Sequence, residues 1–292
     1  MTPGFQYEQA FARNLGWLTS VEQSLLRGKR VAIAGMGGVG GEHLLTLTRL
    51  GIGRFRIADF DRFDTANLNR QAGATVHTLG QPKAEVMAGL ARAINPELDL
   101  DAWHVAVDAD NIERFLGGVD IYVDGLDFFA FNARTVLFAA CQRLGIPAVT
   151  AAPLGMGTAV LNFMPGGMSF ADYFGWGTRP DDERALRFMV GLAPRLLQDY
   201  LVDTSRVDLA NRSGPSTVMA CMLCAGVAAT EVLKILLHRG NVRAAPHGMQ
   251  FDAYRNKLVK TWRPGGHLNP LTQLVMAVAK RRLAAMKVAA TR

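Results

Sequence analysis

The stretch from Arg30 to Arg70, RVAIAGMGGVGGEHLLTLTRLGIGRFRIADFDRFDTANLNR, constrains this chain more than any other. Val31, Ala32, Ile33 and Ala34 form a short apolar run of the kind that buries in a parallel sheet, and Gly35-Met-Gly37-Gly38-Val-Gly40 follows at once. Glycines at such a point let the backbone turn tightly and approach a phosphate. A helix beginning near Gly40 would aim its unpaired N–H groups and positive dipole end at that anion. The next strand, Phe55-Arg-Ile-Ala, ends in Asp59, at roughly the 20-residue spacing from which a carboxylate meets a ribose hydroxyl. A nucleotide is implied.

Alone, a G-x-G-x-x-G turn with a downstream acid favours a nicotinamide or flavin dinucleotide. Three additions argue otherwise. A second acid follows in Asp59-Phe-Asp61, the loop continues as Asn67-Leu-Asn69-Arg70-Gln71, and Gly80-Gln-Pro-Lys83-Ala precedes a predicted helix. An asparagine, an arginine and a lysine converging on the glycine turn suit a triphosphate under nucleophilic attack, where charge must be neutralised as pyrophosphate leaves.

With these motifs the chain resembles the ubiquitin-activating-enzyme-like superfamily, specifically the bacterial ThiF/MoeB/HesA adenylyltransferases. The resemblance runs motif by motif over roughly the first 165 residues, with a weaker echo at 214–237. It implies an α/β fold: a Rossmann-like doubly wound sheet, mainly parallel with an antiparallel extension, flanked by helices. It implies that Gly35, Gly37, Gly38, Gly40, Asp59, Asp61, Asn67, Arg70 and Lys83 hold ATP, and that Asp127, in Asp124-Gly-Leu-Asp127, holds magnesium. Arg13 matches the N-terminal arginine that, in a symmetric homodimer, reaches into the partner's ATP site. Arg13, Arg70, Lys83 and Asp127 then form the catalytic set, and a substrate carboxylate attacks the α-phosphate to give an acyl-adenylate. Phe128 departs from the family, which has Asn after the metal-binding acid. The acceptor implied is the C-terminus of a small ubiquitin-like or sulfur-carrier protein. Three other readings stay open: a relative that adenylates the carboxylate of tRNA-borne threonylcarbamoyladenosine, an NAD- or FAD-binding oxidoreductase using only the glycine turn and Asp59, and a non-catalytic partner subunit.

At 292 residues and 49% hydrophobic, the chain can bury one large core. We expect a nucleotide-binding domain over 1–164, a variable insertion over 165–213, and the remainder of the same domain with a basic helix over 214–292. No positively charged leader opens the sequence, and the longest apolar window, Val218 to Ala229, is interrupted by Glu231 and Lys234. A cytoplasmic protein without a membrane span is expected. Three cysteines make no disulfide framework. The one C-x-x-C, Cys221-Met-Leu-Cys224, lies in a helical stretch with no second pair, so both thiols should pack in the core and no zinc is expected. The net charge of +7 concentrates after Ala253, where Arg255, Lys257, Lys260, Arg263, Lys280, Arg281, Arg282, Lys287 and Arg292 meet no acid. Such a run is a solvated face, or contacts tRNA or an acidic carrier.

Periodicity predicts helical spacing from Phe5 to Leu26 with a capping start at Thr19, and helices over 83–94, 111–116, 132–144, 181–200, 216–238 and 270–290, the last amphipathic with an apolar stripe at Leu271, Leu274, Val275, Val278 and Met286. It predicts strands over 98–105, 119–123, 146–151 and 158–164, and a hairpin of 249–254 with 257–262 around Arg255-Asn256.

Overall fold

A computed structural model describes residues 4–208 and 212–290, the side chains of 282–290 excepted. Two short helices open it, α1 (Tyr7–Ala10) and α2 (Ser20–Gly28). The continuous spacing from Phe5 to Leu26 is broken between them by a 3-10 turn at Ala12–Asn14 and by Gly16, whose φ of +103° no helix accepts. Thr19 restarts the helix as expected. Its Oγ1 accepts from Glu22 N at 3.2 Å while Glu22 Oε2 accepts from Thr19 N at 2.8 Å, a capping box.

The nucleotide-type core follows as β1 (Arg30–Ala34), α3 (Gly38–Arg49), β2 (Arg54–Ala58), α4 (Lys83–Ile94), β3 (Asp99–Trp103), α5 (Ile112–Leu116), β4 (Ile121–Asp124), α6 (Phe131–Leu144) and β5 (Ala148–Leu154). An antiparallel strand β6 (Gly157–Phe163), helices α7 (Phe170–Phe174), α8 (Asp181–Leu192) and α9 (Val218–Leu236), the hairpin β7 (His247–Asp252) and β8 (Lys257–Trp262), and α10 (Pro270–Ala290) complete the chain. All eight strands form one sheet in the order β3-β2-β1-β4-β5-β6-β7-β8. The pairings from β3 through β5 are parallel and those from β5 to β8 antiparallel, which is the doubly wound sheet with an antiparallel extension. The winding reverses between β1 and β4, and ligands of such sheets bind past the carboxyl ends at that point.

Side-chain alternation splits the core into two layers. Val31 and Ile33 face α3, α4 and α9, packing with Leu44, Met87 and Val232, while Ala32 and Ala34 face α5 to α8 with Tyr122, Phe115 and Phe138. Among the described residues α9 is the one helix long and apolar enough to cross a membrane. It packs instead against α3, β5 and β6. The helix expected over 216–238 runs on through Glu231, whose charge closes the apolar window but not the helix: Asn162 Nδ2 donates to that carboxylate at 2.6 Å and Lys234 pairs with it. The predicted helix over 181–200 stops at Leu192, two residues before Pro194, which cannot continue it.

The last helix differs from expectation in its rotation. Among the described side chains of α10, Thr272 and Met276 are the buried ones, whereas Leu271, Leu274 and Val278 of the anticipated apolar stripe face out. A hydrogen bond from Arg263 Nη1 to Thr272 Oγ1 at 2.7 Å and the Lys280–Glu183 ion pair to α8 fix that orientation. Met286 and the charges of Arg282, Lys287 and Arg292 lie outside the described residues.

Candidate active site

Ala34, the last residue of β1, is in register with Ala58 of β2 on one side and Asp124 of β4 on the other. Gly35, Asp59 and Gly125 are therefore neighbours one step past the carboxyl edge. Gly35 N donates to Ala58 O at 2.7 Å, and Gly125 N to Ala34 O at 3.1 Å. Gly35 has φ +88°, a conformation glycine takes without strain. A Cβ on Gly40 would collide with the Gly35 carbonyl, and one on Gly125 would lie 2.8 Å from Gly40 Cα. These three glycines let the first turn of α3 rest directly on the ends of β1 and β4. Gly37 caps that helix, so the N–H groups of Gly38, Val39 and Gly40 have no intrahelical acceptor. Together with the helix dipole they form an anion cradle.

Two residues of the polar loop wall this cradle. Gln71 Nε2 stands 3.7 Å from where a side chain on Gly37 would start, and Arg70 Cγ stands 3.7 Å from the equivalent point on Gly38. The Arg70 guanidinium is steadied by Ala66 O at 2.9 Å and Asn69 Oδ1 at 2.8 Å, both through Nη1. Asn67 Oδ1 accepts from Asp64 N at 3.0 Å and so closes a 3-10 turn at Thr65–Asn67 that presents Arg70 to α3.

Asp59 is buried, and its carboxylate accepts from Met36 N at 2.6 Å and Asp61 N at 2.7 Å. Burial pushes its pKa up, while those two N–H donors and the Lys83 ammonium draw it down. Besides any ribose contact, Asp59 thus ties the glycine turn to the acidic turn. Lys83, the first residue of α4, is buried along its stem; its Nζ donates to Asp61 Oδ2 at 3.1 Å and its backbone N to Asp61 O at 2.9 Å. The structure therefore gathers Gly35, Gly37, Gly38, Gly40, Asp59, Asp61, Asn67, Arg70 and Lys83 at one end of the sheet.

Asp127 lies two residues beyond Gly125, exposed, with Oδ1 accepting from Phe129 N at 2.9 Å. Beneath it sits a residue the sequence reading passed over. Arg134 of α6 pairs with Asp124, Nε to Oδ2 at 2.9 Å, and each side chain is 2% exposed. The signal was an arginine in the helical stripe Phe131, Arg134, Phe138, Cys141, which is otherwise apolar and buried. Gly125 was likewise unremarked.

Arg13 is not part of this assembly within one chain. Its neighbour Asn14 donates from Nδ2 to Leu50 O at 3.1 Å, at the C-terminal end of α3. The cradle is at the other end, roughly 18 Å away along the helix. Cys221 and Cys224 are buried as packing residues; Cys221 Sγ comes within 2.9 Å of where a Gly38 side chain would begin, and burial raises both thiol pKa values.

The sequence profile of the ThiF family matches residues 11–272, a span that includes every element of this site. The chain belongs to the ThiF family. Within that family, the SAMP-activating enzyme E1 of Haloferax volcanii is 33% identical over 127 residues, 44% of this chain and 46% of that protein. The tRNA threonylcarbamoyladenosine dehydratase of Bacillus subtilis is 32% identical over 141 residues, 48% and 55% of the two chains. The chain matches about half the length of these curated relatives. A crystal structure of E. coli MccB with ATP superposes with a TM-score of 0.65 at 18% identity, over 90% of this chain and 73% of that one, a likeness of fold.

Proposed function

We propose that this ThiF-family chain is an ATP-dependent adenylyltransferase that activates a carboxylate as an acyl-adenylate with release of pyrophosphate. The observation that carries this reading is the placement of Arg70 against Gly38 and of Lys83 on the acidic turn. Two cations beside an anion cradle neutralise phosphate charge that a dinucleotide site leaves alone. The first N–H groups of α3 would bind phosphate. Arg70 and Lys83 would stabilise negative charge as it moves onto the departing pyrophosphate, Lys83 exchanging Asp61 for phosphate. The attacking carboxylate is ionised near neutral pH, so no general base is required.

The donor set fits magnesium. Asp127 offers an exposed carboxylate whose Oδ2 has no hydrogen-bond partner among the described residues, and one carboxylate completed by phosphate oxygens is what this ion accepts. When bound, magnesium would supply further neutralisation of phosphate charge.

We take the acceptor to be the C-terminus of a small ubiquitin-like or sulfur-carrier protein, in line with a relative named as a SAMP-activating enzyme. A tRNA-borne carboxylate is the second reading, supported by the B. subtilis relative and by exposed Lys257 and Lys260 on β8. We further propose a homodimer. Arg13 stands too far from its own cradle to act there, and Trp17, Val21 and Leu25 beside it are 85%, 69% and 52% exposed. The buried thiols suit a reducing cytoplasm.

Calorimetry with Mg-ATP and with NAD separates the nucleotide classes: tight NAD binding without ATP binding would discard the adenylation reading. ATP–pyrophosphate exchange driven in turn by a sulfur-carrier protein and by threonylcarbamoyladenosine-bearing tRNA identifies the acceptor. With the productive acceptor, Asp127→Ala should slow exchange by about a hundredfold or more while its melting temperature stays put, since the side chain is exposed. Wild-type exchange in that variant would show the aspartate to be misassigned.

A further inference from the structure

The loop that carries Asp127, residues 125–130, has little regular structure of its own, yet one side chain holds three consecutive carbonyls of its backbone. From α6, Arg134 Nη2 donates to Leu126 O at 3.0 Å and to Asp127 O at 3.0 Å, and Nη1 donates to Phe128 O at 3.2 Å. Its Nε is committed to Asp124 Oδ2 at 2.9 Å. Asp124 is fixed in turn by Thr150 Oγ1 at 2.9 Å and accepts from Leu126 N at 3.2 Å. Above the guanidinium lies the ring of Phe188 from α8, 4.5 Å from Cζ to the ring centre, and Phe128 packs on the same ring with centroids 5.3 Å apart.

A buried guanidinium is expensive unless each donor is used, and a carboxylate alone would have satisfied its charge. Here three further bonds go to consecutive carbonyls of one loop. That geometry fixes the loop's path and with it the side-chain origin of Asp127, whose own Oδ1 is spent on Phe129 N. The apolar lid matters as well. Phe128 stands where the resembling family has a polar residue, and its ring joins Phe188 in shielding these bonds, which are stronger away from water.

We propose that Arg134 is the positioning residue of the Asp127 loop, with Phe188 as its cover, so that the carboxylate is pre-placed for the magnesium–phosphate complex. This rests on the adenylation reading for its purpose but not for its mechanics. Lysine at 134 preserves the pairing with Asp124 yet cannot fork to three carbonyls.

Hydrogen exchange and calorimetry on the full chain test the idea. In Arg134→Lys, amides of the 125–131 peptide should exchange at least about tenfold faster, with peptides of β1 and α3 unchanged. ATP affinity without metal should stay within about twofold of wild type, because the cradle is untouched. The gain in ATP affinity on adding Mg2+ should fall about tenfold, as it does when Asp127→Ala removes the carboxylate itself. Phe188→Leu should give the same pattern at about threefold, and it carries the test alone if the lysine variant does not fold. Unchanged loop exchange together with an unchanged Mg2+ gain in the folded variants overturns the proposal. If wild-type protein binds no ATP, the adenylation reading fails, and loop exchange by itself then decides whether Arg134 holds the loop.

Discussion

His43, one turn into α3, is 1% exposed, and neither ring nitrogen has a hydrogen-bond partner. Burial pushes its pKa down to about 4, against a smaller upward pull from the Asp124 carboxylate. The sign follows from proton uptake. Below the ordinary histidine pKa of about 6.5 the unfolded chain binds a proton that the folded imidazole refuses until about pH 4, so stability falls as pH drops through that window and is whole above it. A fully expressed shift of this size amounts to roughly 3 kcal/mol. Thermal melts of wild type at pH 7 and pH 5 should show the loss, and His43→Leu should flatten it. An equally steep dependence in the variant would place the titrating group elsewhere. At this scale the sequence was readable where residues come as motifs: Asp59, Arg70 and Lys83 stand where their spacing to the glycine turn put them. Arg134 was not readable as a ligand of its loop, because its partners are backbone carbonyls, and carbonyls leave no trace in side-chain identity.

The turn between β1 and α3 shows how differently two glycines can weigh. Gly40 is pressed against the Gly35 carbonyl, so Gly40→Ala must push α3 off the strand ends, costing about 2–3 kcal/mol and displacing the phosphate-facing N–H groups. Gly89, on the exposed face of α4 with open space where a Cβ would sit, should instead gain about 0.5–1 kcal/mol on replacement by alanine. Denaturant melts of the two variants check this; movement in the same direction would contradict the packing described. Most element boundaries were legible because caps and breakers are local chemistry. Thr19 with Glu22 opened α2, and Lys83 opened α4, where the sequence placed them. The rotation of α10 was not legible. Its buried side is chosen by Arg263 reaching Thr272, a contact between segments that periodicity treats separately. The stop of α8 before Pro194 was available from the proline alone.

At the scale of the whole molecule the strand order β3-β2-β1-β4-β5-β6-β7-β8 follows from motifs the chain displays openly, a parallel nucleotide half and a hairpin extension. What no single chain displays is the use of Arg13, exposed at the far end of α3 with no ion pair among the described residues. In the proposed two-fold dimer each site takes Asp127 from one subunit and Arg13 from the other. Mixing inactive Arg13→Ala and Asp127→Ala proteins should then restore about a quarter of wild-type exchange, since about half of randomly paired dimers are mixed and each holds one intact site. Activity no greater than the sum of the separate variants would return Arg13 to the role of a surface residue. The displacement of Arg13 from its own cradle reaches beyond that test. Under the proposed pairing a lone subunit would be idle, so output per copy should rise with crowding, and dilution alone should switch it off.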